Sequence, residues 1–109
     1  MTVTELQSAL PLTPVALPEG DREAEGVYIG DLLSWVMGRA QCGNVWLTIM
    51  SNLNVVAVAT LSDVSCIILC EGVTLEETVK NTAEAKGVNI YTTDMTAYEA
   101  AKKLAELGL

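Results

Sequence analysis

Four strand-then-helix units follow one another along the chain, and this alternation constrains the fold more than any other feature of the sequence. Val27 to Gly30, Val45 to Met50, Ser65 to Leu69 and Val88 to Tyr91 are short runs of β-branched, aromatic and apolar residues, the composition of buried strands. Each leads into a segment with helix signals. Asp31 reads as the N-cap of a helix through about Arg39, and Asn54 as the cap of a helix from Val55 to Leu61. Thr74 reads as the cap of a helix closed by Gly87, and Thr96 to Leu107 as a final helix with Gly108 beyond it. The connections are too long for hairpins, so the strands are expected to run mostly parallel. The expected fold class is therefore α/β, a mostly parallel sheet with helices on both faces.

The chain before Gly20 reads differently. Thr2 followed by Glu5 has the spacing of a capping box and opens a short helix that must end before Pro11. Thr13 to Leu17 is a short extended piece, and Pro14 and Pro18 confine it to a sheet edge. Pro11 to Gly20 forms a loose joint, but no linker divides the chain, and 50% hydrophobic residues suffice for one core. Residues 1–109 are expected to form a single domain.

Charge narrows the function. With a net charge of −8 and only six cations, Arg22, Arg39, Lys80, Lys86, Lys102 and Lys103, all dispersed, no basic stripe exists to neutralise a phosphate backbone, so nucleic acid is not an expected partner. Val45 to Leu61 is rich in apolar residues, but Ser51, Asn52 and Asn54 break it well short of the roughly 18 residues of a spanning helix. The first ten residues lack the basic and apolar regions of a signal peptide, and the odd cysteine count, 3, fits reduced thiols in a cytoplasmic protein.

In an open α/β sheet the carboxyl ends of parallel strands share one edge, and ligands bind there beside helix N-termini. The four strand-to-helix turns bring to that edge Gly30, Asp31 and Ser34, then Ser51, Asn52 and Asn54, then Glu71 and Gly72, then Thr92, Thr93, Asp94 and Thr96. Capping accounts for Asp31, Asn54, Thr74 and Thr96. It leaves a polar surplus that a small ligand held by hydroxyls, amides and backbone N–H groups would use. The candidate ligand-binding residues are Gly30, Asp31, Ser34, Ser51, Asn52, Asn54, Glu71, Gly72, Thr93 and Asp94.

Catalysis has little support. The chain has no histidine, no Ser-His pairing and no glycine-rich loop ending in Lys-Ser/Thr. Asp31 and Asp94 are a conceivable acid–base or Mg²⁺ pair, but both also sit where caps and turns need them. Cys66 and Cys70, roughly 13 Å apart on an extended strand, are too far for a disulfide and read as small buried hydrophobes. Cys42, beside Gly43, is at most a surface thiol, and Trp35, Met37, Trp46 and Met50 fall at spacings that suggest the core. No metal site and no cofactor are expected.

The stretch "EGDREAEGVYIGDLLSWVMGRAQCGNVWLTIMSNLNVVAVATLSDVSCIILCEGV" resembles the DRTGG domain family, which is similar to the N-terminal domain of HPr kinase/phosphorylase. The resemblance extends from about Thr2 to Leu109. Asp21, Arg22 and Gly26 fit the naming motif, whereas Glu23, Ala24 and Glu25 depart from it. It implies a regulatory or scaffolding α/β domain, without kinase activity, that dimerises and senses a small molecule such as a nucleotide. The alternative it implies is an interaction domain serving a redox enzyme of the hydrogenase type, with no ligand.

The helix "NVVAVATL" is apolar nearly all round and must be covered on more than one side. A twofold contact through Val55, Val58 and Leu61 is the expected cover, making the chain a homodimer. The competing arrangement folds the N-terminal helix, Val3 to Leu10, back over it.

Overall fold

The computed structural model describes residues 1–109. Five strands form one sheet in the order β1-β5-β4-β3-β2: β1 (Thr13–Ala16), β2 (Val27–Ile29), β3 (Val45–Thr48), β4 (Cys66–Leu69) and β5 (Ile90–Thr92). The strands β2 to β5 run parallel, as the strand-then-helix alternation implies, and they are neighbours in chain order. Only β1 runs antiparallel, against β5, with a shift of register between Pro14 and Ala16. Prolines are tolerated there because an edge strand leaves one row of donors unused.

The crossovers lay α1 (Leu33–Arg39), α2 (Asn54–Ser62) and α3 (Glu77–Lys86) side by side on one face. A 3₁₀ turn (Thr4–Ser8) and α4 (Ala97–Glu106) cover the other. Alternation along the central strands builds both cores. Trp46, Ile67, Leu69 and Ile90 point to α1–α3, joining Val36, Val55, Val56, Val58, Val79 and Ala83. Val45, Leu47, Cys66, Ile68 and Tyr91 point the other way, to Leu6, Leu10, Met95, Ala100 and Leu104. β3 and β4 are buried throughout, which is why they read as unbroken apolar runs.

Local signals hold at some termini and fail at others. Thr2 and Glu5 exchange the two hydrogen bonds of a capping box, and Thr96 and Glu99 do the same at the start of α4. Gly87, at φ 74°, closes α3. Asp31 is not a cap. Leu32 occupies that position, and the Asp31 carboxylate instead accepts from Thr48 Oγ1 at 2.8 Å and Ile49 N at 3.0 Å on the neighbouring strand and its loop. Asn54 is the first residue of α2, with its N–H donated to Asn52 Oδ1 at 3.0 Å. Thr74 lies short of α3, whose N-cap is Glu76. β5 starts at Ile90 because the side chain of Asn89 is turned into a loop clamp.

Two expectations about packing are corrected. Trp46 is fully buried and Met50 partly so, but Trp35 is 53% exposed and Met37 49%, because α1 spans only two turns and aims Val36 at the sheet. The N-terminal segment covers the face opposite α2, so it does not fold over that helix. α2 is covered instead by α1 and α3 on its flanks and the sheet beneath. Val55 and Val58, at 1% and 6% exposure, are therefore internal, and of the three residues expected at a dimer contact only Leu61, 74% exposed, faces solvent.

Candidate functional site

The carboxyl ends of β2 to β5 share one edge; the loops leaving them carry Gly30, Asp31, Ser51, Asn52, Glu71, Gly72, Thr93 and Asp94, and the first turns of α1 and α2 carry Ser34 and Asn54. The structure then divides that edge into two halves of different chemistry. Near β2 and β3 the polar groups are largely engaged within the chain. Asp31 is held as described, Asn52 caps α2, and Gly30 O accepts from Trp46 Nε1 at 2.8 Å while Gly30 N donates to Leu47 O at 3.2 Å. Ser34, Ser51 and Asn54 keep free side chains here. They are interspersed with the exposed side chains of Ile29, Leu32, Trp35, Ile49 and Leu53, so this half is apolar at its rim. Arg39 stacks on Trp35, 3.6 Å from the ring centroid.

The other half is a cleft of about 650 Å³ between β1, the end of β5 and the β4–α3 loop. Pro11, Leu12, Thr13 and Val15 form one wall, Gly72 to Leu75 the second, and Thr92, Thr93 and Asp94 the floor. Of the predicted residues, Gly72, Thr93 and Asp94 line it; Glu71 stands just outside. Thr93 has a structural task, donating from Oγ1 to Pro11 O at 2.8 Å and accepting from Met95 N at 3.3 Å. Those bonds fix the wall that β1 brings. Glu71 and Gly72 both adopt left-handed backbone, at φ 61° and 73°, and their N–H groups donate to Met95 O and Thr93 O. Glycine is required at position 72 because a Cβ there would add strain and stand 3.3 Å from Asp94 Oδ1.

Four polar side chains in the cleft, Thr13, Thr74, Thr92 and Asp94, make no hydrogen bond within the chain. Sequence reasoning placed Thr74 as a cap and Thr13 on an edge strand, and left both out of the site. The antiparallel register that sets Thr13 opposite Thr92 is what brings them in. Asp31 and Asp94 do not act as a pair, since Asp31 serves the β2–β3 half, and no group of three or more metal-ligating side chains forms anywhere in the structure.

Asp21, Arg22 and Gly26 lie away from this edge, in the segment leading into β2. Arg22 ties down the left-handed end of α2, donating to Asp63 Oδ1 at 2.9 Å, Asp63 O at 3.1 Å and Val64 O at 3.1 Å. Cys42 Sγ donates to Asp63 Oδ2 at 3.0 Å. That bond, and then Arg22, lowers the Asp63 pKa, and the same carboxylate raises that of the thiol. Burial pushes Cys66 up to about 12 and Cys70 to about 11. At pH 8 an aromatic disulfide reagent is therefore expected to titrate Cys42 alone in the folded protein and all three thiols in urea. Asp63→Asn is expected to speed the reaction of Cys42, and equal rates at all three sites would contradict the burial. Because the folded pKa values of Cys66 and Cys70 are raised, the stability they contribute is complete below the unfolded value of about 8.5 and is lost as pH rises towards 11.

No helix is long and apolar enough to cross a membrane. No curated protein matches the chain by sequence. Among solved structures, the CBS and DRTGG domains of the regulatory region of a Clostridium perfringens pyrophosphatase, complexed with its activator diadenosine tetraphosphate, share this fold with a TM-score of 0.76. The identity is 13%, and the likeness covers 94% of this chain but 45% of that one. The model of the DRTGG domain family matches residues 33–107, which leaves Asp21, Arg22 and Gly26 outside the match and includes both halves of the edge from Leu33 onwards. With more than half of its length matched and the fold in agreement, the chain belongs to the DRTGG domain family.

Proposed function

We propose that this chain is a non-catalytic regulatory module that binds a small polar ligand in the cleft between β1, β5 and the β4–α3 loop. The observation that carries this reading is the set Thr13, Thr74, Thr92 and Asp94, drawn from three separate segments into one cleft with no hydrogen-bond partner in the chain. Thr13, Thr74 and Asp94 are exposed and Thr92 half-buried, so all four are open to a ligand, and a concave surface with convergent polar groups is the ordinary form of a ligand site. The cleft offers hydrogen bonds and one carboxylate, a set suited to holding a ligand rather than transforming it. A thermal-shift screen of nucleotides, nucleosides, sugars and central metabolites tests it. A binder at about a hundred times its dissociation constant is expected to stabilise the fold by roughly 2.7 kcal/mol. Thr74→Val with Thr92→Val should abolish that gain while leaving the unliganded protein intact. A binder unaffected by this pair, but weakened by Asp31→Ala or Asn52→Ala, would move the site to the other half of the edge.

The apolar half of the edge favours a second activity of the same module, association with a second copy. Ile29, Leu32, Trp35, Ile49 and Leu53 are exposed together beside β2, an edge strand whose outer backbone row has no partner in the chain. A twofold axis there pairs two such strands and covers both apolar rims, closing without a residual sticky surface. The interface expected on α2 thus shifts to this rim in the proposal, because Val55 and Val58 are internal. Sedimentation equilibrium at micromolar concentration is expected to give a dimer that Trp35→Glu converts to a folded monomer. A wild-type monomer would instead reserve the rim for a different protein, such as the redox-enzyme partner of the alternative reading.

A further inference from the structure

Charge around the cleft says what kind of ligand it accepts, provided that the cleft is the binding site. No lysine or arginine lines it, and its one ionisable side chain is Asp94. Glu71 directly precedes the wall that begins at Gly72, and the helix into which that wall leads, α3, begins with Glu76 and Glu77. These carboxylates use up the attraction that a helix start offers to anions. The two N–H groups of the left-handed pair Glu71-Gly72, of the kind that cradles a phosphate in other loops, are spent on Met95 O and Thr93 O. The whole chain carries a net charge of −8. Three threonine hydroxyls, each able to donate and accept, one acceptor-only carboxylate and the main-chain N–H groups of Thr74, Leu75 and Asp94 remain, set among Pro11, Leu12, Val15, Val73 and Leu75, and the carboxylate is the only full charge among them. We infer that the cleft takes an uncharged or cationic, donor-rich group, a cis-diol or an amine presented to Asp94, and that it excludes phosphate.

If a phosphorylated metabolite regulates the chain, it enters by its sugar or base end and leaves its phosphates in solvent.

The test uses matched pairs that differ by one phosphate: adenosine and AMP, ribose and ribose 5-phosphate, glucosamine and glucosamine 6-phosphate, titrated calorimetrically without divalent metal. In every pair that binds, the unphosphorylated member is expected to be tighter by about tenfold, the effect of one like charge about 8 Å from Asp94 at an effective dielectric near 30. Raising the salt from about 0.05 to 0.5 M should narrow the gap. Asp94→Asn should weaken the unphosphorylated members about tenfold and remove most of the discrimination. Tighter binding of the phosphorylated members, or a preference unchanged by Asp94→Asn, overturns the inference while the site stands. Binding that survives Thr74→Val with Thr92→Val, or no binding by any member of a pair, overturns the cleft as the site and the inference with it.

Discussion

Alanine in place of Trp46 is expected to lower the stability of the domain by about 3–5 kcal/mol, the range for removing a large aromatic from a packed core. Trp46 has no exposed surface and is the largest side chain in either core. It lies under α1 and α2, where Val36, Val55 and Val56 close over it, and a site bounded by β-branched side chains on short helices collapses poorly around a void. The indole has a second task, because its N–H holds the carbonyl of Gly30 at the end of β2. Trp46→Phe keeps most of the volume and loses the hydrogen bond, so it is expected to cost about 1–2 kcal/mol. With a total stability of roughly 5–15 kcal/mol, alanine should shift the melting temperature by 15 °C or more. Urea unfolding followed by far-ultraviolet circular dichroism measures both variants. A midpoint for Trp46→Ala close to wild type would mean that the indole does not fill this core.

The strands and their mostly parallel pairing were legible in the sequence because each depends on local information, whereas their order in the sheet was not. Val45 to Thr48 and Cys66 to Leu69 are unbroken apolar runs because helices cover both faces, and the strand-then-helix alternation implies parallel strands. The capping box at Thr96 and Glu99 was legible for the same reason, since its bonds span three residues. The division of the carboxyl edge was not. Asp31 has the position of a helix cap, and only its bonds to Thr48 and Ile49, seventeen and eighteen residues on, show that it braces one loop against the next. Thr13 and Thr92 are far apart in sequence and meet only through an antiparallel register at the far edge. Whether a polar side chain is free or engaged is a property of such distant pairings, so the composition of the edge could be read but not its unpaired remainder. Trp35 and Met37 were placed in the core by residue type alone. The two-turn helix that carries them has room to bury one side, and Val36 takes it. The exposure of Trp35 next to an open edge strand is the observation behind the proposed association surface, and residue type alone could not give it.

A small polar residue outside the candidate site carries the second large effect. Asn89 is 1% exposed and makes three hydrogen bonds with its amide: Nδ2 donates to Ser65 O at 2.9 Å and Glu19 O at 2.8 Å, and Oδ1 accepts from Glu19 N at 2.9 Å. It therefore links the entry to β4, the entry to β5 and the chain leaving β1, across 70 residues of sequence in one direction. Alanine would leave Ser65 O buried without this donor and release the segment at Glu19, which together should cost about 2–4 kcal/mol. Aspartate would keep the bond from Glu19 N but set a carboxylate against two carbonyl oxygens, so it should be no better than alanine. Glu19→Ala leaves both main-chain groups in place and is expected to stay within about 0.5 kcal/mol of wild type. That contrast separates the clamp from the charge of Glu19. The consequence reaches the cleft, because β1 is an edge strand held along β5, by the Thr93–Pro11 bond, by packing on α3 and by this clamp, and Thr13 sits on β1. Hydrogen exchange in Asn89→Ala should accordingly show lost protection over Thr13 to Ala16 before the amides of β3 and β4 are affected. Uniform loss across all strands at once would mean that β1 does not open independently, and that Asn89 stabilises the sheet as a whole.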